Sequence, residues 1–507
     1  MTLRKWLVRS GPCAVAMLAG CASMESHDKL ATQVQAAQSS GGAAAGLKEL
    51  EASAKTDDAR AALLYNMERG ELLRQNQQYK ESTAAWLLAD GKVNEWEAAA
   101  KSNPQKLLGM AGAALISERL KTYEGQDYEK VWLTTRLALN RIAEKDWDNA
   151  RVDIKRTHER EAVIAAFRAK ETAAAEEEAK SKGAAVSGKE LNGYPVESLN
   201  DPEVLKLRNG YQNALSHYLA GFLYEVLNES GLAAPGYRKA IELKPDTPLL
   251  DEGLRGLDER TGFTHRRKQR MTDVLFIIET GNAPARKPRT FTLPVPIASQ
   301  IGTVSISYPV IEAAREVGPT SLTVGSVTLK AASVVDMNVM ARRALKDEMP
   351  GMMLRGATRA VAKGVAQNEL QKRAGPFGSI VGMAGSALTE QADDRMWRTL
   401  PGLVTIARGY VPEGEHRLLI DGRDTGSVVR IQGQYALVPV QVRSGAVNLG
   451  QVAAFGQLPT TAVAAGAGAV PVPAKTVAPV STKPAAKPAA KPAAPAAPAK
   501  AASAAGK

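Results

Sequence analysis

The chain has 507 residues, of which 44% are hydrophobic and 5% aromatic, and its formal net charge is +12. Two cysteines exclude a disulfide scaffold and a cysteine-rich metal centre, and five histidines leave little material for a histidine centre. The composition therefore predicts no metal and no cofactor. No run of about 18 apolar residues occurs, so the sequence predicts no transmembrane helix.

The first residues have the features of a bacterial lipoprotein signal peptide. Arg4, Lys5 and Arg9 give a positive start, an apolar stretch follows, and Leu18-Ala19-Gly20-Cys21 matches the lipobox. Acylation needs the thiol of Cys21 as its nucleophile, and small residues before it admit the peptidase. The alternative is a chance match in an alanine-rich leader. We expect residues 1–20 to be removed and Cys21 to carry acyl chains such as palmitate.

An acylated Cys21 predicts a protein that is anchored to a membrane. In lipoproteins of this kind, Asp after the acylated cysteine favours retention in the inner membrane, so Ala22 favours the outer membrane. We expect the protein to face the periplasm. Residues 21–56 are rich in Ala, Gln, Ser and Gly. We expect them to form a tether that lifts the folded part off the lipid surface.

Residues 57–262 have helical periodicity, and they contain a pattern typical of tetratricopeptide repeats (TPR). From Gly221, the residues Tyr224, Ala233, Tyr237, Ala240 and Pro245 follow at offsets of 3, 12, 16, 19 and 24. In this pattern the small residues mark close helix crossings, the aromatic residues fill the space between helices, and proline ends the second helix. Gly70, Trp86 and Ala89 fit the frame in an earlier repeat, and Ala138, Trp147 and Ala150 fit it in the next. The alternative is a set of ordinary amphipathic helical hairpins.

Stacked helical pairs form a concave surface that typically binds peptides or partner helices. Arg136, Asn140 and Arg141 fall on the first helix of the second repeat, the helix that lines this surface. They are therefore candidates for binding a partner backbone or carboxylate. The alternative is an ordinary solvated helix surface.

Residues 271–455 read as a β-rich domain, with eight β-branched runs separated by Gly and Pro. One of these runs, Ser321–Val335, is predicted as a single long strand. Eight strands favour a sandwich-like domain or a single antiparallel sheet that is backed by a helical insert. The fold class is therefore α+β, with an N-terminal TPR-like helical array.

The predicted insert, residues 336–392, is basic and amphipathic. It can lie on an anionic membrane or pack its apolar face on the sheet and leave its cations in water, and we favour the second arrangement. A small-residue motif, Gly378-x-x-x-Gly382, predicts a close helix contact. Arg395, Trp397 and Arg398 form an aromatic and basic cluster that is a candidate partner-binding patch, or else anchors the junction between helix and strand.

Residues 456–507 are an Ala/Pro/Lys-rich tail, which we expect to be disordered and extended. The tail holds six lysines and no acidic residue, and Arg4, Lys5 and Arg9 belong to the leader. Residues 10–458 therefore carry only +3 of the charge. The charge thus does not indicate nucleic-acid binding. The tail can reach anionic peptidoglycan.

Several short blocks resemble a family of uncharacterised bacterial TPR-containing envelope lipoproteins. The blocks are Tyr123–Val131, Ala138–Asn140, Asn149–Asp153, Tyr218–Glu225 and Ala392–Pro401. The resemblance implies a lipoprotein with no established enzyme activity. Genes of this family often neighbour one for a lipoprotein that activates penicillin-binding proteins, which implies a link to cell-wall synthesis.

The sequence contains no nucleophile elbow, no zinc-protease motif and no phosphate-binding loop, so we predict that the protein is not an enzyme. The function predicted is a lipid-anchored scaffold of the outer membrane that binds other envelope proteins through its TPR surface. A carbohydrate-binding or glycan-processing envelope protein is the alternative.

Overall fold

The computed structural model describes residues 26–105, 122–181, 195–297, 300–353, 355 and 392–459. The predicted signal peptide, Cys21, the Gly378-x-x-x-Gly382 motif and residues 460–507 of the predicted tail lie outside the described residues. Within them, a helical N-terminal region is followed by a strand-rich C-terminal region, as predicted.

Helices form up to residue 268 and once more after the fifth strand. They are α1 (His27–Ser53), α2 (Asp57–Ala61), α3 (Leu63–Gln75), α4 (Tyr79–Ser102), α5 (Asp127–Ala143), α6 (Trp147–Ser181), α7 (Val196–Leu199), α8 (Pro202–Lys206), α9 (Ala214–Val226), α10 (Ser230–Leu243), α11 (Pro248–Arg255), α12 (Leu257–Thr261), α13 (Phe263–Lys268) and α14 (337–353).

The strands occupy most of the remaining described chain. They are β1 (Thr272–Thr280), β2 (Lys287–Ile297), β3 (Gln300–Val310), β4 (Ser321–Val324), β5 (Val327–Asp336), β6 (Leu403–Val411), β7 (Gly414–Ile420), β8 (Arg423–Ile431), β9 (Tyr435–Arg443), β10 (Ala446–Leu449) and β11 (Ala453–Phe455).

Three helical hairpins, α3–α4, α5–α6 and α9–α10, share one kind of turn. The second residue after each first helix is left-handed, with φ of 60° at Gln77, 63° at Lys145 and 64° at Asn228. In each turn the next backbone N–H donates to the carbonyl five residues earlier, at 2.9, 2.8 and 2.7 Å. The left-handed residue and this hydrogen bond satisfy carbonyls at the end of the first helix. They also reverse the chain, so the second helix runs back along the first.

Two of the hairpins, α3–α4 and α9–α10, cross closely at a small residue. In α3–α4, Ser82 donates to the carbonyl of Gly70 at 2.7 Å, and the Trp86 indole donates to the carbonyl of Met67 at 3.1 Å. In α9–α10, a Cβ on Gly221 would lie 2.7 Å from the ring of Tyr237, so only glycine allows this approach.

Nine strands form one sheet in the order β10-β9-β1-β6-β5-β4-β7-β8, and β11 also pairs with β9. The β1–β9 pair is parallel and the others are antiparallel. The predicted strand Ser321–Val335 is instead the hairpin β4–β5, which turns at Gly325 with φ of 62°. The remaining two strands, β2 and β3, pair with each other. Because nine of the eleven described strands belong to one sheet, the sandwich-like arrangement is not confirmed.

The sheet has a core on each of its two faces, and β1 contributes to both. Leu275 and Ile277 join the main core, which the helices also build. Val274, Phe276 and Ile278 join a second core on the other face with residues of β4, β7 and β8. The sheet curls around this second core, because Ser427 of β8 reaches the carbonyl of Val447 in β10 at 3.5 Å. Burial on both faces explains the continuous apolar run in β1.

The predicted insert begins as α14, whose Met337, Met340 and Leu345 lie in the main core. The expectation that its cations stay in water is wrong for Arg342. This side chain is buried, and it donates to the Asp201 carboxylate at 3.0 Å and to the carbonyl of Ser198 at 2.7 Å. The segment α7–α8 covers this part of the helix and supplies both acceptors.

We predict that Gly221→Ala lowers the free energy of unfolding by about 1–3 kcal/mol, because the new methyl group overpacks the crossing with Tyr237. Gly231→Ala is the matched control. Gly231 lies in α10, and nothing lies within 4 Å of the place that a methyl group would take there, so its replacement should leave stability unchanged or raise it slightly. Urea unfolding of both variants measures the difference. Equal stabilities would show that this crossing tolerates a side chain.

Candidate functional site

The predicted partner-binding residue Arg136 is fully buried between the helices and the sheet. Its Nε lies 3.0 Å from the Glu71 carboxylate of α3, and its Nη1 pairs with the Glu279 carboxylate of β1. Arg74 also donates to Glu279, at 3.1 Å. The prediction that Arg136 binds a partner is therefore wrong, because β1 covers that face of α5.

Burial alone would raise the pKa of the Glu279 carboxyl. Arg136 and Arg74 outweigh this effect and lower the pKa to about 2. Glu279 is therefore ionised across the physiological pH range, and it serves as a fixed anion between two helices and the sheet.

Asn140 is also buried, and the prediction that it binds a partner is wrong. Its amide donates to Ser82 at 2.9 Å and to Thr83 at 3.2 Å, so it joins α5 to α4. Arg141 keeps partial access to solvent, with 23% of its side chain exposed, and it pairs with Asp146 at 3.4 Å. Of the three candidates on α5, Arg141 alone remains available at the surface.

The candidate patch around Trp397 lies in residues 392–402, which run across the helical region before β6 and are called the crossing segment below. The Trp397 ring is fully buried and lies edge-on to Trp86, with centroids 6.1 Å apart. Arg398 is buried and donates to the carbonyl of Ala283 at 3.3 Å. Arg395 pairs with its neighbour Asp393 at 2.7 Å. The cluster anchors the junction between helix and strand, so the partner-binding prediction for Trp397 and Arg398 is wrong.

Two buried carboxylates hold the backbone of this segment. Glu129 of α5 accepts the Trp397 N–H at 2.6 Å. Glu68 of α3 accepts the N–H groups of Arg398 at 2.6 Å and Thr399 at 3.0 Å. Hydrogen bonds to charged acceptors are stronger than neutral ones, so these contacts fix the crossing segment to the helices.

Burial is the largest influence on both carboxyls, and it raises the pKa of each. The pKa of Glu129 reaches about 7, although hydrogen bonds from Tyr123 and from the backbone of Trp397 oppose the rise. The negative charge of Glu68 adds to it. Glu129 therefore titrates close to neutral pH.

The segment predicted as a tether is instead the helix α1, which packs on the folded body. Ser26 donates to Asp394 at 2.8 Å, and His27 lies 2.9 Å from the carbonyl of Met396. Asp28 pairs with Arg398 at 2.6 Å. The tether prediction is therefore wrong for residues 26–53, because their apolar and polar side chains have matching partners on α3 and on the crossing segment.

The apolar side of α1 completes this contact. Val34 and Leu50 are 3% and 4% exposed and form a cluster with Leu72 of α3. The helix kinks at Gly41 and Gly42, which lets both of its halves lie on the same surface. A crevice beneath α1, lined in part by His27, Glu68 and Arg398, has room for about one water molecule.

Glu68, Glu71, Glu129 and Glu279 are among the buried carboxylates that were not predicted from the sequence. Glu279 carried a signal, because it directly follows the apolar run Val274–Ile278, where a solvated position is not expected, whereas the other three stand among polar and charged residues and carried none. A single sequence does not reveal which distant Arg or N–H group pairs with such a residue, because the pairs are formed by residues more than 60 positions apart.

None of the helices that the structure describes combines the length and the apolar character needed to cross a bilayer. Within the same residues, no three His, Cys, Asp or Glu side chains are arranged to hold a metal ion. Comparisons with protein-family models, with curated proteins and with solved structures find no match to this chain. The resemblance to TPR-containing lipoproteins therefore rests on the sequence blocks alone.

We predict that Val34→Asp detaches α1, because a carboxylate buried against Leu50 and Leu72 has no partner there and costs several kcal/mol. Limited proteolysis with mass spectrometry should show cleavage within residues 26–53 at least about tenfold faster than in the unmodified protein. Gln33→Asp, on the exposed side of the same helix, is the matched control. Equal cleavage of the two variants would contradict the packed position of α1.

We also predict a pH-dependent effect of Glu129→Gln. The folded protein binds the Glu129 proton more tightly than the unfolded chain does, so this group stabilises the fold below about pH 4.5. That contribution is lost as the pH rises to about 7. The stability of the unmodified protein relative to Glu129→Gln should therefore fall over this range, on the order of 3 kcal/mol.

Thermal and urea unfolding at several pH values measure this change. The exposed Glu124, in the loop before α5, gives the control Glu124→Gln. A difference between the unmodified protein and Glu129→Gln that stays constant from pH 4.5 to 7 would contradict the raised pKa.

Proposed function

We propose that this protein is a lipoprotein, acylated at Cys21, on the periplasmic face of the outer membrane. Its TPR-like helical array and β-rich region form a scaffold that binds other envelope proteins, and it has no enzymatic activity of its own. The role is linked to cell-wall synthesis, as the family resemblance implies.

The observation that carries this proposal is the position of α1. His27, its first residue, follows the lipobox cysteine by six positions, and Ser26 and His27 already contact the crossing segment. The five residues from Cys21 to Ser26 span at most roughly 17 Å. An acyl anchor at Cys21 would therefore hold the folded body directly at the lipid surface, with α1 as the rigid link.

The TPR-like assignment is supported by the repeated geometry of the hairpins. Gly70, Ala138 and Gly221 each precede the left-handed residue of their turn by seven positions. Twelve positions after each of these small residues stands another buried small one: Ser82, Ala150 or Ala233. One frame of small residues and turns in all three hairpins is typical of a helical repeat.

The first helix of each hairpin contacts the protein's own sheet. Arg74 of α3 and Arg136 of α5 pair with Glu279, and Glu225 of α9 pairs with Arg408 of β6. The surface that isolated arrays use for peptides is therefore occupied. In our proposal, envelope partners bind the outer faces of the repeats, and the lysine-rich tail contacts anionic peptidoglycan.

Replacement of Cys21 tests the proposal. We expect Cys21→Ala to abolish labelling by a clickable palmitate analogue and to move the protein from the outer-membrane fraction to the soluble periplasmic fraction. Cys13→Ala is the matched control, because Cys13 lies within the leader and its loss should change neither result. Unchanged fractionation of Cys21→Ala would overturn the lipid anchor.

The scaffold role needs a second measurement on the same strains. Crosslinking in intact cells followed by mass spectrometry should recover envelope proteins with the unmodified protein and fewer with Cys21→Ala. Penicillin-binding proteins among the products would support the link to cell-wall synthesis. A protein that is acylated but crosslinks to no envelope protein would contradict the scaffold.

A further inference from the structure

The helix α4 has apolar residues on two opposite sides, and only one side is buried. Trp86, Ala89 and Val93 lie in the main core on its inner side. On its outer side, Leu87 and Leu88 are 45% and 63% exposed. Single exposed apolar residues are common on protein surfaces, whereas exposed apolar residues that adjoin one another mark contact surfaces. The packing of the chain itself does not account for this outer side.

Small residues continue the outer side in both directions. Ala84 stands about one helical turn before the leucines and Gly91 about one turn after them, and both are exposed. Nothing lies within 4 Å of the place that a Cβ would take on Gly91, so the surface there is open. Two leucines thus stand between two small residues. Because the distance between packed helices depends on the side chains at the contact, small residues allow another helix to come close.

A cation and an anion stand at each end of this apolar stretch. The N-terminal end has Lys80 and Glu81, the C-terminal end has Lys92 and Glu95, and all four are exposed. Glu95 lies 3.5 Å from Lys92, a surface ion pair that contributes little to stability. From position 80 to position 95 the helix rises by roughly 22 Å. The residues along this line form the outer stripe of α4: Lys80, Ala84, Leu87, Leu88, Gly91 and Glu95.

The outer stripe is complementary to an inverted copy of itself. We consider two copies of α4 that lie antiparallel about a two-fold axis between positions 87 and 88. Each residue then meets the one at the same distance on the other side of the axis, and each contact occurs twice. The opposed pairs are Leu87 with Leu88, Ala84 with Gly91, and Lys80 with Glu95.

Charge distinguishes this arrangement from a parallel one. In the antiparallel pair, Lys80 of each copy faces Glu95 of the other, and Glu81 comes within about one turn of Lys92. In a parallel pair, Lys80 would face Lys80 and Glu95 would face Glu95. Like charges that face each other across an interface are unfavourable, so the charges of the stripe favour the antiparallel pair.

We infer that the outer stripe of α4 is a self-association surface that joins two copies of this protein through antiparallel α4 helices. The leucines form the buried centre of the contact, the small residues set the close approach, and the charged pairs fix the register. A contact between two single helices is small for a protein interface, so the dimer is weak and reversible. The inference goes beyond the proposed function, because it depends on α4 alone and requires neither the acyl anchor nor an envelope partner.

Introduced cysteines test the register of the two helices. The full chain becomes free of cysteine with Cys13→Ala and Cys21→Ala, which also removes the acyl anchor. In this background, Ala84→Cys combined with Gly91→Cys should form a disulfide-linked dimer on mild oxidation. Each single variant should form about tenfold less, because like positions in the antiparallel pair are roughly 10 Å apart along the helix, which a disulfide cannot span.

The same distance prevents a bond between positions 84 and 91 within one helix. Equal yields of dimer from the single and double variants would overturn the antiparallel register. Absence of the dimer from all variants at about 100 µM protein would overturn the self-association. In intact cells, a disulfide from position 84 to a different envelope protein, without the dimer, would also overturn it, because another partner would then occupy the stripe.

Sedimentation velocity over a range of concentrations tests the stripe without introduced thiols. In the cysteine-free full chain, Leu88→Asp should raise the dissociation constant of the dimer at least about tenfold, because it places two carboxylates at the centre of the contact. Val428→Asp, at an exposed apolar residue of β8, is the matched control and should leave the constant unchanged. Equal effects of the two variants would overturn the inference.

Reversal of the charged pair gives a rescue experiment. Lys80→Glu and Glu95→Lys should each weaken the dimer by roughly threefold to tenfold, because each change replaces two attractive pairs by two repulsive ones. The chain with both changes should dimerise more tightly than either single variant, because opposite charges face each other again. A doubly changed chain that is no tighter than the single variants would overturn the register. Failure of palmitate labelling at Cys21 would overturn the anchor and leave this inference untouched.

Discussion

One strand, β1, positions the helical region on the sheet. Its helix-facing residues alternate along the chain as Asp273, Leu275, Ile277 and Glu279, so two carboxylates flank two apolar side chains. Glu279 pairs with Arg136 and Arg74 at one end. Buried ion pairs of this kind add little net stability over apolar contacts, but loss of one partner costs about 3–5 kcal/mol. Their main effect here is to specify which helices meet which end of the strand.

The other end of β1 repeats this arrangement with different partners. Arg408 of β6 lies 2.7 Å from both Asp273 and Glu225, and Arg260 joins the same cluster through Glu225 at 2.6 Å. Burial raises the pKa of the Glu225 carboxyl, but Arg408 and Arg260 lower it to about 2. Charged clusters at both ends and apolar packing between them give one relative placement of helices and sheet. The sides of α3, α5 and α9 that face the sheet are consequently interior, and their polar residues serve the fold.

The crossing segment brings the N-terminal helix and the β2–β3 hairpin to one side of the molecule. Glu68 and Glu129 hold the backbone of residues 397–399, and the neighbouring Asp393 and Asp394 contact Arg286 and Ser26. A short stretch of chain thus contacts the first helix, the base of the hairpin and the two helices α3 and α5. Trp397 and Arg398 are buried because the segment is packed against all of these elements, which explains why two residues typical of interfaces lie within the fold.

The sequence by itself determined the features that depend on neighbours along the chain. The helical hairpins, most of the strands and the change from helix to strand near residue 270 follow from local composition and spacing. The two-residue turn at Gly325 was not predicted, because the residues that flank it are β-branched on both sides. The chain direction reverses there through the left-handed backbone of that glycine. The hairpin β2–β3 was also recognisable as two strands, although its separation from the main sheet was not.

Only the tertiary structure decided which of the predicted partner-binding residues are buried and which keep access to solvent. Arg136, Asn140, Trp397 and Arg398 have the chemistry of partner-binding residues, and a single helix or segment gives no reason to expect their burial. Their partners lie on strands and helices far away in sequence, and the energy of a buried charge depends on those partners. The same reason explains why α1 was predicted as a tether. Its Ala- and Gln-rich sequence is typical of a linker, but α3 and the crossing segment offer it a complementary surface, so it forms part of the fold.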